Sequence, residues 1–152
     1  MILAIDIGNT NVTLGVYKDE SFILTARLAT ETGRTSDQYA IDIKDVLSLH
    51  GEDYRKIEGC IISSVVPAVG DAVAQGITAL CGIKPMVLGP GLKTGLNIKI
   101  DNPAQLGADL AAGAVGALAK YPTPCIVIDM GTATTVSFLG KNGEMLGGAI
   151  AA

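Results

Sequence analysis

The stretch "AIDIGNTNVTLGVYKDES" at residues 4–21 lies over "VIDMGTATTVSFLGKNGE" at 127–144 when the chain is shifted by 123 residues. Asp6 then meets Asp129 and Gly8 meets Gly131, each at the end of an apolar run and ahead of Thr-containing residues. A second β-prone run and a polar turn follow in both copies, with Lys18 over Lys141. Such self-similarity at a fixed offset marks a duplicated supersecondary unit, here strand–turn–strand. The first copy has most of the chain after it, whereas Asp129 is followed by only 23 residues. Residues 1–120 are therefore expected to form a first domain, and 121–152 the opening strands of a second, incomplete one. On this reading the chain is the N-terminal part of a longer protein and is inactive by itself.

The repeated turn carries the candidate chemistry. Glycine allows close backbone approach and positive φ, while successive N–H groups and Asn or Thr side chains can donate to phosphate oxygens. A carboxylate would repel phosphate, so the natural partner of Asp6 is Mg²⁺ or a water bound to it. Either turn alone also reads as a plain hairpin with a conformational glycine. The occurrence of two copies, each with Asp ahead of Gly, favours a pair of loops that grip a polyphosphate.

The remaining pattern is α/β. Strands are expected at 2–7, 11–18 and 21–30. A helix follows over 35–51, with Thr35 or Ser36 as its cap, a Tyr39, Ile43, Val46 and Leu47 stripe, and Gly51 as its stop. "IEGCIISSVVP" (57–67) reads as a buried strand ended by Pro67, 68–82 as a helix, 85–88 as a strand and "GPGLKTG" (89–95) as a loop. Asn102-Pro103 suits a helix start, with the helix running to about Lys120. "TPCIVIDM" (123–130) reads as another buried strand, followed by strands in "ATTVSFLG" and "EMLGGAI". Together these predict a sheet mixing an antiparallel meander with parallel strands.

Composition excludes several classes. The 152 residues are 49% hydrophobic and 17% charged, with net charge −4 and no Trp, which argues against a grip on nucleic-acid phosphates. Cys60, Cys81 and Cys125 form no C-x-x-C pair, and with the single His50 they make no zinc site. Three separated thiols suit a reducing cytoplasm. No basic signal-peptide start and no apolar run of membrane-spanning length is present, so no membrane partner is expected. "GPGLKTG" lacks the glycine a phosphate-binding P-loop needs where Leu92 stands, and no dinucleotide fingerprint follows a strand.

"DIGNT" (6–10), "RTSD" (34–37), "SSVVP" (63–67), "GPGLKTGL" (89–96), "NPAQLGAD" (102–109) and "DMGTATT" (129–135) together resemble the type III pantothenate kinase family. That family sits among the actin-like ATPases, sugar kinases and heat-shock chaperones. The resemblance implies an α/β, ribonuclease H-like domain with a mixed five-stranded sheet, followed by the start of a duplicate. It also implies a cytoplasmic homodimer that uses ATP, Mg²⁺ and a monovalent cation (K⁺ or NH₄⁺) to phosphorylate pantothenate on its primary hydroxyl, towards coenzyme A. Carried over residue by residue, Asp6, Gly8, Asn9 and Thr10 match the first phosphate motif, with Asp6 towards Mg²⁺ through water. Gly131, Thr132 and Ala133 match the second, with Asp129 at the monovalent cation. Gly107 and Asp109 match the substrate motif, and Asp109 becomes the catalytic carboxylate. Without the resemblance Asp109 reads more readily as an exposed acid in a first helical turn, favoured there by the helix dipole.

Two positions depart from the family pattern. Leu110 stands where the family usually has an Arg that partners the substrate carboxylate, and Ile100 where it usually has a Tyr lining the same site. Loss of a bidentate guanidinium is not a mild change. Altered recognition of pantothenate is therefore expected. The alternatives are a nucleotide-binding paralogue with an accessory role and a kinase for a related hydroxylated metabolite.

Overall fold

Leu3, Ile5 and Ile7 of β1 (Ile2–Ile7) are buried while Ile2 and Asp6 are exposed, the period-2 signature of a strand covered on one face. Antiparallel β2 (Asn11–Lys18) and β3 (Ser21–Ala29) extend the sheet on one side of β1, and parallel β4 (Gly59–Ser64) and β5 (Met86–Val87) on the other. The order is β3-β2-β1-β4-β5, the mixed five-stranded ribonuclease H-like sheet that the sequence predicts. The computed structural model describes residues 1–89, 92–103 and 106–151, and the chain divides into two compact units, Met1–Leu88 and Gly89–Ala152.

Two helices cover the buried face of this sheet. α1 (Ser36–Leu49) starts at Thr35 with a capping box: the Gln38 N–H donates to Thr35 Oγ1 at 3.3 Å, and the Thr35 N–H donates to Gln38 Oε1 at 2.9 Å. α2 (Pro67–Cys81) places Pro67 in its first turn, where a missing N–H costs nothing, and ends at Gly82 with φ of 69°. Tyr39, Ile43 and Leu47 of α1 and Val69, Val73 and Ile77 of α2 join Leu3, Ile5, Ile7, Val12, Leu14, Val16, Cys60 and Ile62 in one apolar cluster. Each such side chain contributes about 1.5–3 kcal/mol on leaving water. The helices meet at Gly76, where a Cβ would come within 2.6 Å of the Ser36 carbonyl oxygen.

In the second unit, β6 (Asn97–Ile98), β9 (Glu144–Ala151), β8 (Thr134–Leu139) and β7 (Cys125–Met130) form a four-stranded sheet in that order. The short β6, which the sequence reading lacked, pairs in parallel with β9, and the Lys99 N–H extends the ladder to the Met145 carbonyl at 2.8 Å. α3 (Ala108–Lys120) packs Ala114 and Ala117 against Leu139 and Met145. The sequence reading placed this helix in the first domain; its packing partners lie in the second sheet. It begins at Ala108 rather than at Asn102-Pro103. Pro103 instead accepts a hydrogen bond from the Leu106 N–H at 3.2 Å, and Ala104 and Gln105 lie outside the described residues, as do Pro90 and Gly91 of the expected 89–95 loop.

The duplication is visible in the pairing, with one correction. Asp6 pairs with Thr13, but Asp129 pairs with Thr135, so the second Asp-Gly turn is one residue shorter and β8 aligns with β2 at an offset of 122. Leu14 thus corresponds to Val136 and Val16 to Phe138, because a one-residue slip would exchange the two faces of the strand. A register shift follows at Val16/Tyr17 in one copy and at Phe138/Leu139 in the other. The next turn is one residue longer in the second copy, closed by Gly143 at φ 75°, which restores the offset of 123. There the backbone N–H groups of Glu144 and Asn142 hold the Glu144 carboxyl below the usual carboxylate range.

A further correction concerns β7, which the sequence reads as a buried strand. Ile126, Ile128 and Met130 are 59%, 62% and 83% exposed, although they occupy the positions of the fully covered Leu3, Ile5 and Ile7. α3 lies on the opposite face, that of Cys125 and Val127.

Candidate functional site

In the first unit the candidate residues gather at the carboxyl end of β1. Asp6 is the penultimate strand residue, and the chain reverses through Gly8, Asn9 and Thr10 into β2. The Gly8 N–H closes the turn on the Asn11 carbonyl at 2.9 Å. Thr30, just past β3, grips both flanks: its Oγ1 donates to the Gly8 carbonyl at 2.8 Å and its N–H to the Thr10 carbonyl at 3.0 Å. With these carbonyls drawn back towards β3, the outer side of the loop is left to exposed Asn9 and Thr10. Thr30 escaped the sequence reading because it lies 20 residues from the turn it holds. Only the β2–β3 register, which pairs Asn11 with Ala29, brings it there.

Of the two parts expected of the glycines, positive φ is absent and close approach remains. Neither Gly8 nor Gly131 has positive φ, and a Cβ would meet nothing nearer than 3.5 Å at Gly8 and 3.7 Å at Gly131. The turns therefore do not need glycine for their own conformation. What a bare Cα supplies is an open surface that an incoming group can approach closely. The second turn repeats the first in outline, with the Gly131 N–H donating to the Ala133 carbonyl at 3.1 Å and both Gly131 and Thr132 exposed.

In the second unit Asp129 points to the α3-bearing face of the sheet, since it alternates with Cys125 and Val127. α3 rises about 20 Å over its length and β7 spans about the same, joined head to tail by a short connection. Asp109, in the first turn of α3, and Asp129, at the end of β7, therefore lie at one end of this unit. The helix N-terminus favours a carboxylate at Asp109. Gly107, the N-cap residue, makes room for it: a Cβ there would collide with Asp109 Oδ1. Leu110 is partly buried against the Ala114, Ala117, Leu139 and Met145 cluster, and Ile100 is half-buried.

Among the described residues no three His, Cys, Asp or Glu side chains gather into a preformed metal cage. A single exposed carboxylate beside an open glycine turn fits a cation that keeps most of its water and shares phosphate oxygens, as Mg²⁺ does. No helix among the described residues is long and apolar enough to cross a membrane.

Known structures reproduce the fold. A provisional 2-dehydro-3-deoxygalactonokinase from Sinorhizobium meliloti matches 99% of this chain and 53% of its own, with a TM-score of 0.63 and 15% identity. The activator of the 2-hydroxyisocaproyl-CoA dehydratase from Clostridium difficile, solved with bound ADPNP, matches 98% of this chain and 44% of its own, with a TM-score of 0.57 and 16% identity. In sequence, the type III pantothenate kinase of Halalkalibacterium halodurans is 45% identical over 151 residues, 99% of this chain. The match spans 59% of the length of that relative. A sequence model of type III pantothenate kinases fits residues 2–152, and the chain belongs to that family.

Proposed function

We propose that the complete gene product transfers the γ-phosphoryl group of ATP to the primary hydroxyl of pantothenate, giving 4'-phosphopantothenate for coenzyme A synthesis. The observation that carries this reading is the repeated Asp-Gly turn, whose glycines the backbone does not require, set in a chain 45% identical to a type III pantothenate kinase. Intact Asp6, Asp109 and Asp129 speak against an accessory paralogue without catalysis.

Phosphoryl transfer asks a protein mainly for positioning and charge neutralisation. Asn9, Thr10, Thr132 and the backbone of Gly131 and Ala133 bind phosphate oxygens, and the turn glycines let those oxygens approach the main chain. Asp6 would hold Mg²⁺, and Asp129 would hold the monovalent cation (K⁺ or NH₄⁺). When bound, these cations neutralise the negative charge of the polyphosphate. Asp109 orients the pantothenate hydroxyl and accepts its proton on a carboxylate oxygen as the new P–O bond forms and ADP departs. Gly107, Ile100 and Leu110 flank the substrate.

The same reading makes the chain a first ribonuclease H-like domain and the opening strands of a second, with the division moved from 120/121 to Leu88/Gly89 because β6 and α3 belong to the second unit. The shared register shift supports this, as does the bare face of Ile126, Ile128 and Met130, whose counterparts α1 and α2 cover in the first copy. A cytoplasmic homodimer belongs to the proposal through family membership.

The test is an assay of the complete gene product with γ-labelled ATP and pantothenate. Labelled 4'-phosphopantothenate, dependent on Asp109, is expected. ATP binding without labelled product would refute the proposal.

A further inference from the structure

Ser63 is the penultimate residue of β4 and the register partner of Asp6 in the parallel β1–β4 ladder. Leu3, Ile5 and Ile7 with Cys60 and Ile62 face the helices, so Asp6 and Ser63 share the opposite face. Ser63 is 8% exposed, and among the described residues its Oγ is the one buried side-chain nitrogen or oxygen without a hydrogen bond. Its neighbour shows the contrast: Ser64 Oγ donates to the Val66 carbonyl at 2.9 Å and accepts from the Val66 N–H at 3.1 Å. Ser64 is thus accounted for by the turn into α2, and Ser63 is not. A buried hydroxyl without a partner destabilises a fold, and a native one calls for a reason such as a ligand, an ion or a water. The location supplies that reason. β1 has an antiparallel neighbour on one side and a parallel one on the other, and in α/β sheets ligands bind beyond the carboxyl ends of parallel strands.

We propose that Ser63 is a binding residue for the divalent cation–nucleotide complex, its Oγ accepting a hydrogen bond from a water of the hydration shell of the cation at Asp6. This rests on the function proposed above and adds a residue to it. Mg²⁺ surrenders its water reluctantly and is held through a carboxylate and phosphates, so protein groups reach it largely through that shell. A hydroxyl buried beside the carboxylate is preorganised for such a contact and needs no rearrangement to make it.

Ser63→Ala and Ser63→Thr in the complete gene product test the assignment, with thermal unfolding and calorimetric titration of Mg²⁺ in the presence of a non-hydrolysable ATP analogue. Ser63→Ala is expected to keep or raise Tm, because it removes an orphaned buried hydroxyl, and to weaken Mg²⁺ binding about tenfold. The Mg²⁺ concentration for half-maximal rate should rise by the same factor. Ser63→Thr, which retains the hydroxyl, should restore affinity to within twofold. Unchanged Mg²⁺ affinity in Ser63→Ala overturns the proposal, as does a loss accompanied by a lowered Tm, the mark of a merely structural role. A wild-type protein that binds the Mg²⁺–analogue complex but phosphorylates nothing would refute the kinase reading and leave the titration to decide Ser63; one that binds no such complex overturns both.

Discussion

Replacing Thr30 with valine isolates the grip of β3 on the first phosphate turn. The side chain keeps its shape and loses one donor, the Oγ1–H that reaches the Gly8 carbonyl at 2.8 Å. The Thr30 N–H to the Thr10 carbonyl at 3.0 Å remains, so the end of β3 stays tied to the turn and only the Gly8 flank is released. A half-buried neutral hydrogen bond contributes about 1 kcal/mol, a factor of about five at 25 °C. Thr30→Val should therefore lower Tm by about 3 °C and raise KM for ATP by up to about fivefold, since apparent affinity falls with the fraction of molecules whose loop is in place. KM for pantothenate should hardly move, because Thr30 acts on the first turn alone. Thr30→Ser restores the donor and should restore KM. The assay is steady-state kinetics of the complete gene product with each substrate varied in turn. An ATP KM within experimental error of wild type in Thr30→Val, or equal rises in both KM values, would refute Thr30 as a positioning residue.

Three further outcomes follow from the same structure. Gly76→Ala drives a Cβ to within 2.6 Å of the Ser36 carbonyl and should cost about 2 kcal/mol, lowering Tm by about 6 °C despite the better helix propensity of alanine; an unchanged melting curve would disprove close contact of α1 and α2. Burial pushes the Cys60 thiol up to about 12 from 9.0, so its contribution is fully present below pH 9 and is lost as pH rises towards 12; urea unfolding at pH 8 and pH 10 should show a loss of about 1.4 kcal/mol between the two in wild type and a smaller one in Cys60→Ala. If position 110 faces the pantothenate carboxylate as proposed, Leu110→Arg should lower KM for pantothenate about tenfold while costing some stability, since Leu110 packs on the apolar cluster; wild-type turnover at full rate with no gain in the variant would show that recognition does not use this position.

What the sequence disclosed depended on how local the signal was. The Thr35 cap and the Tyr39, Ile43, Val46 and Leu47 stripe are short-range signals, and both helices begin and end within two residues of expectation, although Pro67, read as the end of a strand, opens α2, and Gly82, read as its last residue, caps it. The start of α3 was misplaced because Asn102-Pro103 makes a persuasive cap, whereas the observed cap at Gly107 has no side chain to reveal it. β6 is two residues long and owes its existence to β9 more than forty positions away, so no local pattern marks it. The candidate residues Asp6 to Thr10 were legible because they form one contiguous motif. Thr30 and Ser63 were not, because their roles come from strand register across the sheet.

The two copies of the repeat show why a pattern of side chains reports what a strand is built to cover rather than what covers it. Leu3, Ile5 and Ile7 and their counterparts Ile126, Ile128 and Met130 are equally apolar, yet the first three are within 3% of complete burial and the second three are more than half exposed. The difference lies in the helices: α1 and α2 lie on that face in the first unit, while α3 takes the opposite face in the second. The Asp-bearing face follows the same logic in reverse. In the first unit it is free of α1 and α2, which leaves Asp6 accessible beside Ser63. In the second it carries α3, whose first turn brings Asp109 to the end of the sheet where Asp129 stands. One repeated hairpin thus stands in two settings, a bare turn in the first copy and a turn on the helix-bearing face of the sheet in the second. The position of one helix, not the sequence of the turn, makes that difference.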